Sequence, residues 1–369
     1  MKKLNLKTLI AVGLTLAGAA FTPNLQAALT NYIEGGSASR LLLYDRATNF
    51  YAGGSFTSTG TGSSNVRRFQ GNSLNPLVSG YNPITLDFNV NNGAVYGLQS
   101  LVNGPGPAST NIDGTVTRPT FVDSATSPDV VGVDSTSLAA YPTYVVPLVF
   151  VKNTNFPDLV SITNLTQRQA WSLEHSTLQA TYFGGTSTNK VYFVGRNSGA
   201  AVRTEIDLNI YNSTGIKTYY TNGVVPATPI LDVSADPGYS SGTLVINTVK
   251  GLTNSIGTLA VQDVSSPLAP IAYEGVAYSV TNVINGSYPL WGYENYYYLD
   301  PAVTGGAGVG GAPTTAQQTV LDVFYGSVTN SSFQASNPVF VGKFIPNPAL
   351  QVKRDTDGGQ IKPLGSFFQ

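Results

Sequence analysis

The 369-residue chain has no cysteine. That excludes disulfide cross-links, a thiolate metal site and a lipid anchor carried on a cysteine. Its one histidine, His175, leaves no multi-histidine zinc site. It also leaves few ways to assemble Ser-His or Cys-His nucleophilic chemistry. No P-loop pattern is present. These absences predict a protein that is not an enzyme and carries no cofactor or metal. Charged residues make up 11% of the chain, against a usual share of about 25%. With a net charge of −1, nothing marks nucleic acid or an anionic membrane as a partner. After residue 27 no apolar run approaches the roughly 20 residues that a membrane helix needs.

What is present is a chain able to build a core, 42% hydrophobic and 11% aromatic. Lys2, Lys3 and Lys7 precede an apolar run from Leu9 to Ala20, and small residues follow to Ala27. This reads as a secretory signal peptide over 1–27, cleaved before Ala28, and places the protein in the periplasm or outside the cell. The length that remains suits about two domains.

Along the chain, apolar runs alternate with helix signals. Thr30–Gly35 reads as a strand, and Ser37 opens a predicted helix through Leu43 and Ala47. Residues 53–64 are predicted as an exposed Gly/Ser/Thr loop. Ile84–Val90 reads as a strand and Gly93–Val102 as a helix. Val130–Val133 is an apolar run ending at Asp134, predicted as a buried parallel strand. Thr166 with Gln169, and Thr314 with Gln317, form two capping boxes. Lys190–Val194 and Ser255–Val261 read as strands. Gly199–Tyr211 and the stretch after Ser240-Ser241 read as helices. The order predicts α/β with a mainly parallel sheet. Richness in Tyr, Thr, Gly and Asn also suits an all-β secreted protein, and the two capping boxes favour α/β.

Several ordered segments between about residues 30 and 300 resemble the phosphate-binding proteins of ABC importers, which have a type II periplasmic-binding-protein fold. They are Gly35-Gly36-Ser37-Ala38, Ser127 to Asp134, Val145 to Asn153, Asn164 to Gln169, Val194 to Gly199, Ser255 to Gly257, and Asn285 to Glu294. The resemblance implies two lobes, 28–145 plus 290–369 and 146–289, each a mainly parallel sheet flanked by helices. A small oxyanion, phosphate first, would bind between them. The partner implied is an ABC importer permease, and the protein would be a monomer.

An oxyanion needs backbone N–H groups at helix N-termini, short hydroxyls and a bidentate Arg. Candidates are Ser37 and Ala38, the turn residues Asn91 and Asn92, and Arg196 with Ser198, Gly199 and Ala200. Asp134 is the candidate acceptor for a protonated ligand. The family's R-x-x-G-S-G-T-R pattern reads here as Arg196, Asn197, Ser198, Gly199, Ala200, Ala201, Val202, Arg203, so two hydroxyls are gone. Two lost charge-assisted hydrogen bonds, at roughly 1.5–3 kcal/mol each, cost on the order of 10²-fold in affinity. The alternative reading is therefore a secreted structural or adhesive protein on the same scaffold with a degenerate cleft. His175, at a predicted helix C-terminus, suits the helix dipole. The cluster Tyr293, Tyr296, Tyr297 and Tyr298 suits packing.

Overall fold

A computed structural model describes residues 28–364 except 61–64, 92, 107–108, 212–213 and 222–226. Residues 1–27, the predicted signal peptide, and Asn92 lie outside the described residues. In chain order the main elements are β1 (Leu29–Gly35), α1 (Arg40–Phe50), β2 (Phe56–Thr59), β3 (Val66–Gly71), β4 (Ile84–Asn89), α2 (Ala94–Asn103) and β5 (Phe121–Ser124). Then come β6 (Leu138–Asn153), β7 (Asn164–Leu165), α3 (Gln167–His175), β8 (Tyr192–Val194), α4 (Ala201–Ile210), β9 (Tyr219–Thr221) and β10 (Pro229–Leu231). The last are α5 (Gly242–Gly251), β11 (Ser255–Ala260), β12 (Leu268–Tyr273), β13 (Trp291–Leu299) and α6 (Thr315–Val328).

The sheet runs β2-β3-β4-β1-β5-β13-β6-β11-β8, with β12 also on β6. β1 lies parallel to both β4 and β5. Every residue of β4 and β5 is buried, as strands covered on both faces require. The 16-residue β6 is shared by two groups of strands. From Leu138 to Pro147 it pairs with β13; from Leu148 on it pairs with β11 and β12. The change falls at Pro147, which has no N–H to give a ladder. The α/β expectation holds and the all-β alternative does not, but the sheet is mixed and not mainly parallel: β6 runs antiparallel to β13, β11 and β12, and β3 antiparallel to β2 and β4.

Three local expectations are corrected. Val130–Val133 is not a strand: Pro128–Val131 forms a 3₁₀ turn, and Gly132 ends it at φ 70°, a left-handed conformation. The buried strand that carries an aspartate to the cavity side is β5, with Asp123; β4 carries Asp87, which pairs with Arg68. Ser37 does not begin a helix; residues 37–39 are a turn and α1 starts at Arg40. Within 53–64 the described residues are mostly exposed, but Phe56–Thr59 is an edge strand on β3. The two capping boxes form as the sequence predicts.

Candidate functional site

The first turn of a helix leaves N–H groups without intrahelical partners and carries partial positive charge. Two such starts converge beside β5 and β13. The turn after β1 passes Gly36, Ser37 and Ala38 and enters α1. The chain after β8 passes Arg196 and enters α4 at Ala201, where Ala200 at the N-cap supplies no side-chain acceptor. Gly36, Ser37, Ala38, Ala125, Arg196, Ala200, Ala201, Val202 and Glu294 line one cavity of about 10 Å³, room for a single water. Gly35 allows the approach: a Cβ there would sit 2.7 Å from the Asp123 carbonyl oxygen.

Arg196 is the centre of the arrangement. It is 3% exposed, and burial pulls its guanidinium down to about 10. Its Nε donates to the Tyr239 carbonyl at 2.9 Å and its Nη2 to the Ser240 carbonyl at 2.7 Å. Its Nη1 donates to Ser37 Oγ at 3.2 Å, so this residue from after β8 touches the turn after β1. A second contact joins the same regions. The Val95 N–H of α2 donates to the Gly199 carbonyl, and Gly93 at φ 92° leaves space for that carbonyl.

The charges around Arg196 are unequal. Arg40, also buried, donates from Nη1 to Asn65 Oδ1, and its Nε has no partner among the described residues. Buried Asp263 is pushed up to about 6 by burial, against the pull of Arg40, Arg196 and Lys343. Below the cavity is a carboxyl pair. Burial raises Asp123 to about 7, although its Oδ2 accepts from Ser39 Oγ. Burial, then the Asp123 charge, raises Glu294 well above the carboxylate range. Asp123 and Glu294 interact directly, and Ser39 reaches both carboxyls. Two carboxylates this close cannot both ionise cheaply, so the pair holds a proton.

The structure brings Ser37, Ala38, Arg196 and Ala200 together at this cavity. Gly199 is buried beside them and holds α2 through its carbonyl. Asn91 is exposed and lines a different, larger pocket. Ser198 is exposed, faces the Tyr96 hydroxyl at 3.4 Å and lines a third pocket. Asp134 is exposed on the loop after the 3₁₀ turn, accepts from the Thr136 N–H at 2.9 Å and lies outside the cavity. Sequence reasoning missed Asp123 and Glu294. The available signal for Glu294 was an acid inside the aromatic run of β13. His175 stacks on Trp171 at 4.1 Å, with its ring nitrogens on the Trp171 and Thr214 carbonyls. Tyr296, Tyr297 and Tyr298 are buried in the sheet. Among the described residues no His, Asp and Glu group could hold a metal, and no helix is long and apolar enough to cross a membrane.

No protein-family profile matches the sequence, and no curated protein matches it. Solved structures do. A putative phosphate ABC transporter substrate-binding protein with bound phosphate from Clostridium perfringens is similar over 86% of this chain and 99% of its own, with a TM-score of 0.57 at 13% identity. The fold is that of the substrate-binding proteins of phosphate importers. An ABC-type phosphate transport receptor from Vibrio cholerae is similar over 83% of this chain and 96% of its own, with a TM-score of 0.50 at 13% identity.

Proposed function

We propose that the chain is an exported solute-binding protein that closes two lobes, 28–145 plus 290–369 and 146–289, on a small oxyanion, with phosphate the first candidate and an ABC importer permease the recipient. The observation that carries this reading is Arg196, a buried guanidinium between two helix starts that reaches across to Ser37. The carboxyl pair below it can hold a proton and so present a neutral, donating acid to an anion instead of a second charge. In this reading Ala200 and Val202, where the resembling family has hydroxyls, make the site weaker than a full phosphate site.

A second reading has its own support. A cavity of about 10 Å³, walled by Ala125, Ala200, Ala201 and Val202, suits a secreted structural or adhesive protein that keeps the scaffold without the ligand.

Calorimetry with phosphate and sulfate on the protein lacking residues 1–27 separates the two. Under the binding reading phosphate gives heat. Arg196→Ala lowers affinity at least 10²-fold through loss of a bidentate charged donor. Ala200→Ser with Val202→Thr raises affinity about 10-fold or more. If neither the wild type nor the hydroxyl-restored variant gives heat with any anion, the scaffold reading stands.

A further inference from the structure

The contact from the Val95 N–H to the Gly199 carbonyl brings the starts of α2 and α4 together. Beside it the Tyr96 hydroxyl donates to Asp236 Oδ2 at 3.0 Å and faces Ser198 Oγ at 3.4 Å. Next to these contacts α2, α4 and the 3₁₀ turn Pro128–Val131 border a pocket of about 370 Å³. α2 and the turn belong to the segment 28–145, and α4 and Ser198 to 146–289, so the pocket lies between the two proposed lobes. Its volume falls in the range of about 300–1,000 Å³ usual for organic ligands.

The walls divide by chemistry. Val95, Val130, Val131 and Leu208 are aliphatic. Gln99 lies one helical turn after Val95, and Thr204 one turn before Leu208, so each helix sets an uncharged polar group beside an aliphatic one. Neither the Gln99 nor the Thr204 side chain hydrogen-bonds to a described residue. An amide and a hydroxyl can each both donate and accept. The cation in the wall, Arg203, is already answered. Its Nε lies 3.5 Å from Asp207 Oδ2 and its Nη1 3.7 Å from Asp236 Oδ1, and Nη1 also donates to the Pro237 carbonyl at 3.1 Å. An anion here would meet two carboxylates against one guanidinium, and like charges repel.

We infer that this pocket binds a small uncharged amphipathic molecule, its apolar face on Val95, Val130, Val131 and Leu208 and its hydrogen-bonding groups on Gln99 and Thr204. The inference uses the two lobes of the reading above but not its oxyanion, since Arg196 does not line this pocket. A molecule seated here touches α2 and α4 at once and ties the lobes together along their helices.

The test titrates thymidine and N-acetyl-leucinamide, two uncharged probes with an apolar part and both donors and acceptors, into the protein lacking residues 1–27. Thymidine 5′-monophosphate and inorganic phosphate run in parallel. At least one uncharged probe should bind with a dissociation constant of about 1 mM or tighter, and thymidine 5′-monophosphate at least about tenfold more weakly than thymidine. Inorganic phosphate should not displace the bound probe. Amide hydrogen exchange should slow on probe binding at both 95–99 and 203–208. Thr204→Trp fills the pocket from α4 and should weaken the probe at least about tenfold, while leaving any heat with inorganic phosphate unchanged. Gln99→Trp repeats the block from α2 should Thr204→Trp fail to fold. The inference is overturned if neither uncharged probe binds, if the folded Trp variants bind it as well as the wild type, or if phosphate displaces it. The oxyanion reading is then untouched, because it is judged on phosphate heat and Arg196→Ala. Probe binding without phosphate heat has the converse result: this site stands and the oxyanion reading falls.

Discussion

Asp123 and Glu294 sit where a reader of the sequence would expect hydroxyls or a single acid. Their folded-state proton affinities are raised, Asp123 to about 7 and Glu294 further, mainly by burial. A raised carboxyl binds its proton more tightly folded than unfolded. Its favourable contribution is therefore full below the ordinary carboxylate range and is lost as pH climbs toward about 7. Stability should fall across that window. Glu294→Gln keeps the shape and removes one titrating group, so its melting temperature should depend less on pH between 4.5 and 8 and exceed the wild type's at the upper end. Melts across that range check this; a Glu294→Gln curve parallel to the wild type's would show that the pair carries no such linkage. Arg196 was legible because an Arg after a strand and before a glycine-led helix start has few other jobs. Asp134 does not line the cavity, for a physical reason. Val130–Val133 looks like a buried strand, but Pro128 and Gly132 fix a turn, and a strand is confirmed only by distant partners, here β1 and β13 on β5.

The two helix starts with capping boxes were the most legible elements because a cap is local. Thr314 accepts from the Gln317 N–H at 3.2 Å, and the Gln317 side chain returns to the Thr314 N–H at 3.0 Å. The sequence does not show what Gln317 adds at long range: its Nε2 donates to the Thr30 carbonyl at 2.8 Å, tying α6 to β1. Thr314→Ala should cost about 1 kcal/mol, the usual worth of a cap. Gln317→Ala should cost more, since it loses the reciprocal bond and leaves the β1 carbonyl with one acceptor bond fewer. Urea unfolding midpoints of the two variants test that order, and equal midpoints would remove Gln317 as an inter-element tie. Edge strand β2 shows the opposite limit. Thr57, Ser58 and Thr59 are all exposed and carry no apolar period, so only pairing to β3 makes them a strand.

Across the whole molecule, the chain end binds the two strand groups to each other. Arg354 lies 4.4 Å over the buried ring of Trp291 at the start of β13. Its Nη2 donates to Asn209 Oδ1 of α4 at 3.1 Å and to the Pro289 carbonyl. Three residues on, Asp357 Oδ2 accepts from the Ser127 N–H at 2.5 Å, just after β5. Gly358, at φ 63°, presses on Leu208, where a Cβ would meet the leucine Cβ at 2.3 Å. One short segment therefore touches β5's exit, α4 and the β13 entry. α4 carries the cavity wall at Ala201 and Val202, so its position depends on contacts made by residues far from the ligand-facing motifs. None of this could be read from sequence, because each contact joins positions more than 60 apart. Arg354→Ala removes a buried cation over an aromatic ring and two hydrogen bonds, for a loss of about 2–4 kcal/mol. Asp357→Ala removes the tie to Ser127 together with its contacts to the buried Glu205 carboxyl and the Arg354 charge, and about 1 kcal/mol is expected. If the segment positions α4, amide hydrogen exchange should quicken at Ala201–Thr204 in both variants, beyond any change in β1 and β4. Exchange that rises uniformly, in proportion to the loss of global stability, would reduce the segment to a general contributor to stability with no hold on the cavity wall.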